Sequence, residues 1–307
     1  MTTNRNTPAR DMTRLVKQFA MVLALCLSAY ESVSAGALER LFAPKAVPWS
    51  FWDTSNAAST AKVDHGRWDA FLKTYVQTDA DGINRVPYAK VRAEDRTALQ
   101  VYIEALSQLP IRQYSRGEQL AYWINLYNAV TVSVVLNHYP VESIRDINIS
   151  PGLFAMGPWG KKLLVIEGQD VSLNDIEHRI LRPLWQDPRL HYVLNCASLG
   201  CPNLHNRAFQ AANIDAMMEN AARVFIQHPR AVTIKDGRLY VSSIYSWFQA
   251  DFGGSEQAVI RHLQHYASGE LADGLADMSR IQDDHYDWML NDADPARVPA
   301  TDEKPDS

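Results

Sequence analysis

Ser115-Arg-Gly-Glu-Gln-Leu-Ala-Tyr-Trp-Ile-Asn-Leu-Tyr-Asn-Ala-Val-Thr-Val-Ser-Val-Val-Leu-Asn-His138 is the stretch whose reading decides the fold. Ser115 and Glu118 have capping-box spacing, which marks a helix N-terminus. Leu120, Trp123, Ile124, Tyr127, Val130, Thr131, Val134 and Val135 then recur at helical period. Pro140 disfavours helical backbone at the residue before it, so the helix should stop near His138. Asn125 and Asn128 lie three apart on one face of this apolar helix. Asparagine is a poor helix-interior residue. Either the pair lines a cleft and holds a substrate, or it ties down buried backbone of neighbouring loops, the preferred reading.

Working outward, Trp68, Phe71, Leu72, Tyr75 and Val76 form an amphipathic stripe that Asp79-Ala-Asp-Gly82 breaks. A second helix is expected over about 93–108, with Leu99, Tyr102, Ile103 and Leu106 inward. Residues 36–64 read as an irregular lead-in, and 150–160, with Phe154 and Trp159, as a loop able to shield a site. Glu167-Gly168 and Lys235-Asp-Gly-Arg238 are hairpin turns between short apolar runs. Ser172 caps a helix carrying Asp175, Glu177 and His178. Leu190–Cys196 reads as a buried strand. Helices are expected around Ile214–Phe225 and over 255–267, ending at Gly269, and a disordered tail from 293. Helices come first, then hairpins mixed with helices. That order predicts a single α+β domain over 65–292, helix-rich with a small sheet, rather than a doubly wound sheet.

The 307 residues carry 30 basic and 35 acidic side chains without a basic stripe, which argues against a nucleic-acid binder. Arg14 and Lys17 precede an apolar run, Phe19–Ala29, followed by small residues at Val33-Ser34-Ala35. That pattern fits a signal peptide over 1–35, and the run of eleven is short of the roughly 20 residues a spanning helix needs. The mature chain is therefore expected in the periplasm or secreted, not spanning a membrane.

Of three cysteines, Cys26 falls in the export segment, which leaves every mature thiol in His191-Tyr-Val-Leu-Asn-Cys196-Ala-Ser-Leu-Gly-Cys201-Pro-Asn-Leu-His205. In an oxidising compartment a Cys196–Cys201 disulfide is the leading physical state. A thiolate nucleophile would need a base in reach, for which His178, His191 and His205 are the sequence-near candidates, with Glu177 or Asp175 to orient one. Asn195 or backbone N–H groups of the bend would serve an oxyanion. A metal site would use His191, Cys196, Cys201 and His205. That spacing fits zinc poorly, and no metal or cofactor is expected. Asp251 and Asp287 read as caps or turn residues amid aromatic packing.

Ala121 to Ala129, His138-Tyr-Pro140, Ser172 to His178, Leu181-Arg182, Asp187-Pro-Arg189, His191 to Pro202, Trp247 to Phe252 and Tyr286 to Asn291 together resemble the family called domain of unknown function 547. Its motifs run in order over about 115–291. The resemblance implies a helix-rich α+β domain, often on exported bacterial proteins, and implies no reaction. It singles out Asn125, Asn128, Glu177, His178, His191, Asn195, Cys196, Ser198 and Cys201. A looser likeness to papain-like or transglutaminase-like enzymes is one of fold only and carries no function.

Two functions follow as expectations. The first is a thiol-dependent hydrolase or acyl-transfer enzyme, with Cys201 or Cys196 as nucleophile, His178 or His191 as base beside Glu177, and Asn125, Asn128, Asn195 and Ser198 holding a small-molecule or peptide ligand. The second is a non-catalytic binding module stiffened by a Cys196–Cys201 disulfide.

Overall fold

The helix read first is the centre of the molecule. In the computed structural model, which describes residues 43–152 and 156–294, Ser115 Oγ accepts the Glu118 backbone N–H and a helix runs Arg116–His138. Of the eighteen residues from Gln119 to Leu136, all are buried except Ser133. A helix apolar on every side has to be wrapped by others. The wrapping helices are α1 (Gly66–Tyr75) and α2 (Ala93–Ser107), and we call the central helix α3. Trp68, Phe71, Leu72 and Tyr75 of α1 and Leu99, Tyr102, Ile103 and Leu106 of α2 are all buried, as their spacing predicts. Trp52, from a short 3₁₀ turn in the lead-in, sets its ring edge-on to Trp123. The expected signal segment 1–35, the lead-in up to 42, Phe154 and the tail beyond 294 lie outside the described residues.

Besides these helices there are two hairpins, one between α1 and α2 and one after α3, and a three-stranded sheet. β1 (Gln77–Thr78) pairs with β2 (Asn84–Arg85), and β3 (Leu164–Ile166) with β4 (Gln169–Val171), both antiparallel. β5 (Val232–Lys235) and β6 (Arg238–Ser242) are joined by Asp236 and Gly237 at positive φ, the conformation a two-residue hairpin turn demands. β7 (Ile281–His285) adds in parallel to β6 after three helices, α6 (Ser243–Trp247), α7 (Glu256–Tyr266) and α8 (Gly269–Leu275). The architecture is α+β, and one apolar cluster extends from Trp52 to Leu290. Among the described residues no helix is long and apolar enough to cross a membrane.

Two local expectations need correction. Ser172 does cap a helix through a reciprocal box with Asp175, but this α4 opens at Leu173–Asp175, passes through a π-helical stretch at Ile176–Leu181 and closes at Arg182–Trp185. The widened turn places Glu177 and His178. Leu190–Asn195 is buried as expected and Cys196 is partly exposed, yet the segment is not a strand. Pro188–Tyr192 is a 3₁₀ turn opened by Asp187, whose side chain accepts the Arg189 backbone N–H. Arg189 then pairs with Asp187 and with Asp215 of α5 (Ile214–Ile226), which fixes the turn against that helix. Burial with an apolar run looks alike in a strand and a packed turn, and Asp187-Pro188 was the distinguishing signal.

Candidate functional site

Three buried asparagines build the platform on which the cysteines sit. Asn128 Nδ2 donates to Val193 O at 2.8 Å, and its Oδ1 accepts Asn195 N–H at 2.8 Å. Asn195 in turn donates from Nδ2 to Pro202 O at 2.7 Å and accepts Ala197 N–H at 2.9 Å. Asn125 clamps Phe209 through both its amide atoms. These amides spend both ends on loop backbone, which is why two asparagines are found inside α3.

The loop so held is tightly bent. Ala197 adopts φ 59°, left-handed backbone that costs a non-glycine residue energy and is common beside reactive groups. Cys201 N–H donates to Ser198 O, closing the turn. Residues 286–291 lie along it: Leu199 N–H donates to Met289 O, Gly200 N–H to Asp287 O, and Asn291 N–H to Ala197 O. A Cβ at Gly200 would stand 2.7 Å from Asp287 N and 2.9 Å from its O, so only glycine admits the strap this closely.

Inside the bend the two cysteines are free thiols, their sulfurs 3.0 Å apart, so the expected disulfide is not formed in this structure. Cys196 Sγ also lies 3.0 Å from Tyr286 Oη and 3.2 Å from Ser198 Oγ, and these two oxygens are 3.0 Å from each other. Cys201 Sγ accepts the Cys196 backbone N–H at 2.9 Å. Burial pushes the Cys196 thiol up, and hydrogen bonds from Cys201, Ser198 and Tyr286 outweigh it, holding the thiol below its ordinary range. The charge of Glu177 opposes that ionisation. For Cys201, burial and the neighbouring sulfur act together, and its thiol is pushed well up. Burial and the charges of the two sulfurs likewise keep Tyr286 protonated. The proton between the sulfurs therefore belongs to Cys201, and Cys196 is the group that ionises. Cys196 is partly exposed while Cys201 is buried, so the residue that ionises is also the more exposed of the two.

The histidines gather elsewhere. Arg182 Nη1 donates to His178 Nδ1 at 2.9 Å, and Arg182 Nε to Asp251 Oδ2 at 2.6 Å. Asp251 Oδ2 also accepts from His191 Nε2 at 2.7 Å. Phe248 stacks on His191 with ring centroids 4.4 Å apart and lies under the Arg182 guanidinium. Burial above all lowers His178 to about 4, so it is neutral at pH 7. Burial would raise Asp251, but the hydrogen bonds from His191 and Arg182 hold it far below the usual carboxylate range. Neither His178 nor His191 hydrogen-bonds a sulfur. His205 packs edge-on against Phe209. Among the described residues no group of histidine, cysteine and carboxylate side chains converges to hold a metal ion.

A family model described as "Protein of unknown function, DUF547" matches residues 111–226. This chain carries a DUF547 domain. No curated protein and no solved structure matches it. The DUF547 segment takes in α3, α4, the thiol bend and α5, and with them each site residue anticipated from sequence. Tyr286 and Asp251, which complete the two clusters, lie outside it. Both were read as packing or capping residues, because they stand 90 and 60 residues from their partners and no local spacing announces them.

Proposed function

We propose that this chain is an exported thiol enzyme of acyl transfer or hydrolysis, with Cys196 as its nucleophile. The observation that supports this most is the meeting of Cys201 Sγ, Ser198 Oγ and Tyr286 Oη within 3.2 Å of the sulfur of one partly exposed residue, with Ser198 donating to Tyr286. A thiolate, not a thiol, is the nucleophile, and donors that stabilise it replace the need for an adjacent histidine. The thiolate attacks an acyl carbon, a C–S bond forms, and the leaving group departs with a proton from solvent, matching the one Cys196 released on ionising. Water then attacks the thioester, the C–S bond breaks and the thiolate is restored. In this scheme Glu177, whose charge acts on Cys196, takes the proton from that water. His178 and His191 act as positioning residues in this scheme, through α4 and the 188–192 turn.

The 3.0 Å approach of the sulfurs favours a second reading, a binding module in which the pair closes to the roughly 2.05 Å of a disulfide. Alkylation of the exported protein with iodoacetamide, read by intact mass with and without reductant, separates the two. Catalysis requires Cys196 to label first without reductant, and to do so below the ordinary thiol range of about pH 8.5. Labelling only after reduction would overturn the enzyme reading in favour of the bridge. The same mass tests cleavage after Ala35.

A further inference from the structure

The segment that carries Cys201 continues through Asn203 and His205 into the wall of an open cavity of about 270 Å³, lined also by the β1–β2 hairpin and α5. Arg230 lines it. Arg230 Nη1 donates to Leu199 O at 2.8 Å and Nη2 to Asn203 Oδ1 at 2.6 Å, both neutral acceptors. Its Nε is buried without a hydrogen-bond partner. Two of the five donors of a guanidinium are thus satisfied. Among the described residues Arg230 forms no ion pair. Asp81 is the carboxylate whose field reaches it, and Asp81 is already engaged by Arg85 and by the Ile83 backbone N–H. The nearby Cys201 and Tyr286 stay protonated, so they supply no counter-charge. A cation this withdrawn from water and left without a counter-ion is costly, and such groups are normally paired.

The rest of the lining says what kind of anion fits. His205 is held neutral by burial, at about 4, and its ring nitrogens make no hydrogen bond among the described residues. The side-chain amides of Asn206 and Asn220 are likewise unengaged there, so three polar groups face the cavity without partners. Val224, which is exposed, supplies the apolar wall, backed by the buried ring of Phe225, 5.4 Å from the Arg230 guanidinium carbon. One uncompensated cation calls for one negative charge, and the guanidinium fork matches a planar carboxylate. A polyphosphate or nucleic acid would need more basic groups than the cavity holds.

We propose that this cavity binds a small monocarboxylate bearing an apolar or aromatic group, with the carboxylate at Arg230 and the apolar group against Val224 and the edge of Phe225. The proposal does not rest on the reactivity of Cys196.

The test is titration of the full chain at pH 7 with 3-phenylpropanoate and, in parallel, with its uncharged isostere 3-phenylpropanamide, followed by amide NMR shifts and ligand-observed saturation transfer. Saturable binding of the carboxylate, at least about tenfold tighter than the amide, is expected, equivalent to about 1.4 kcal/mol. Arg230→Gln should abolish the preference. Because Arg230 also holds Leu199 and Asn203, Asn220→Asp serves as the second variant. It places a negative charge on an exposed α5 position of the lining, and it should weaken the carboxylate about tenfold more than it weakens the amide, with the unfolding midpoint unchanged. Equal binding of the two probes, no saturable binding of the carboxylate, or an Asn220→Asp variant that keeps the full preference would each overturn the proposal.

Discussion

The thiol bend and the histidine cluster are both buried polar assemblies of four or five side chains, yet their hydrogen-bond balance is opposite. Around Asp251 the donors and acceptors close on themselves. One carboxylate takes a guanidinium and an imidazole, and the guanidinium gives its remaining bonds to His178 and to Pro44 O. Around Cys196 a second thiol, a hydroxyl and a phenol meet on the sulfur of a partly exposed residue, and Ser198 donates to Tyr286. A closed network specifies structure. A chain of hydroxyls that ends on a thiol stabilises charge there, which does useful work only when the thiol ionises. The difference locates chemistry at the sulfur and assigns architecture to the histidines, despite the usual expectation that a histidine marks the reactive centre.

The comparison breaks most visibly at Asp251. Asp251→Ala leaves Arg182 charged and buried without its counter-ion, and a loss of about 3 kcal/mol in urea unfolding is expected. Cys196→Ser should cost far less stability while removing the fast-alkylating thiol. A variant ranking the other way would erase the distinction drawn here.

Acid comes next. His65, His178, His205 and His262 are each lowered to about 4, by burial in every case, from 6.5. Below pH 6.5 the unfolded chain takes up protons that the folded chain refuses until about pH 4. The stability these groups contribute is present above 6.5 and falls as pH drops between those values. Equilibrium unfolding at a series of pH values should show that decline, and His178→Gln should make it shallower by one proton.

Gly200→Ala tests the strap. The new Cβ cannot coexist with Asp287 backbone at 2.7 Å, so a loss of about 1–3 kcal/mol is expected, with slower alkylation as Tyr286 moves off Cys196. The smallest effect sharpens the picture most. Tyr286→Phe deletes one donor and should raise the pH midpoint of Cys196 alkylation by about one unit, worth ~1.4 kcal/mol, with little change in unfolding. An unchanged midpoint would mean that Tyr286 only packs.

The helical frame was legible because α1, α2, α3 and α5 bury the residues their spacing nominates, and the hairpin turns carry glycines where positive φ is needed. The asparagines of α3 were legible as anomalies, and geometry supplied their purpose. What could not be read was pairing across distance. Tyr286 reaches Cys196, and Asp251 reaches Arg182, only because β7 returns beside β6 and α6 ends where it does. Nor does composition distinguish a buried 3₁₀ turn from a buried strand, which is why the strand expected over Leu190–Cys196 is not found. The π-helical stretch of α4 leaves no sequence trace either, since its residues are ordinary helix formers.

The strap at 286–291 imposes an order on synthesis. Cys196 and Cys201 are translated some 85 residues before Tyr286, and chains form domains as they emerge, N-terminal parts first. During that interval the bend has no cover and its thiols have no phenol beside them. Each behaves then as an ordinary cysteine, open to any passing oxidant or mispairing. The reactive form of the sulfur is thus a property the chain acquires last, when folding is essentially complete, so a premature stop before residue 286 yields a protein with both cysteines and no tuned thiol.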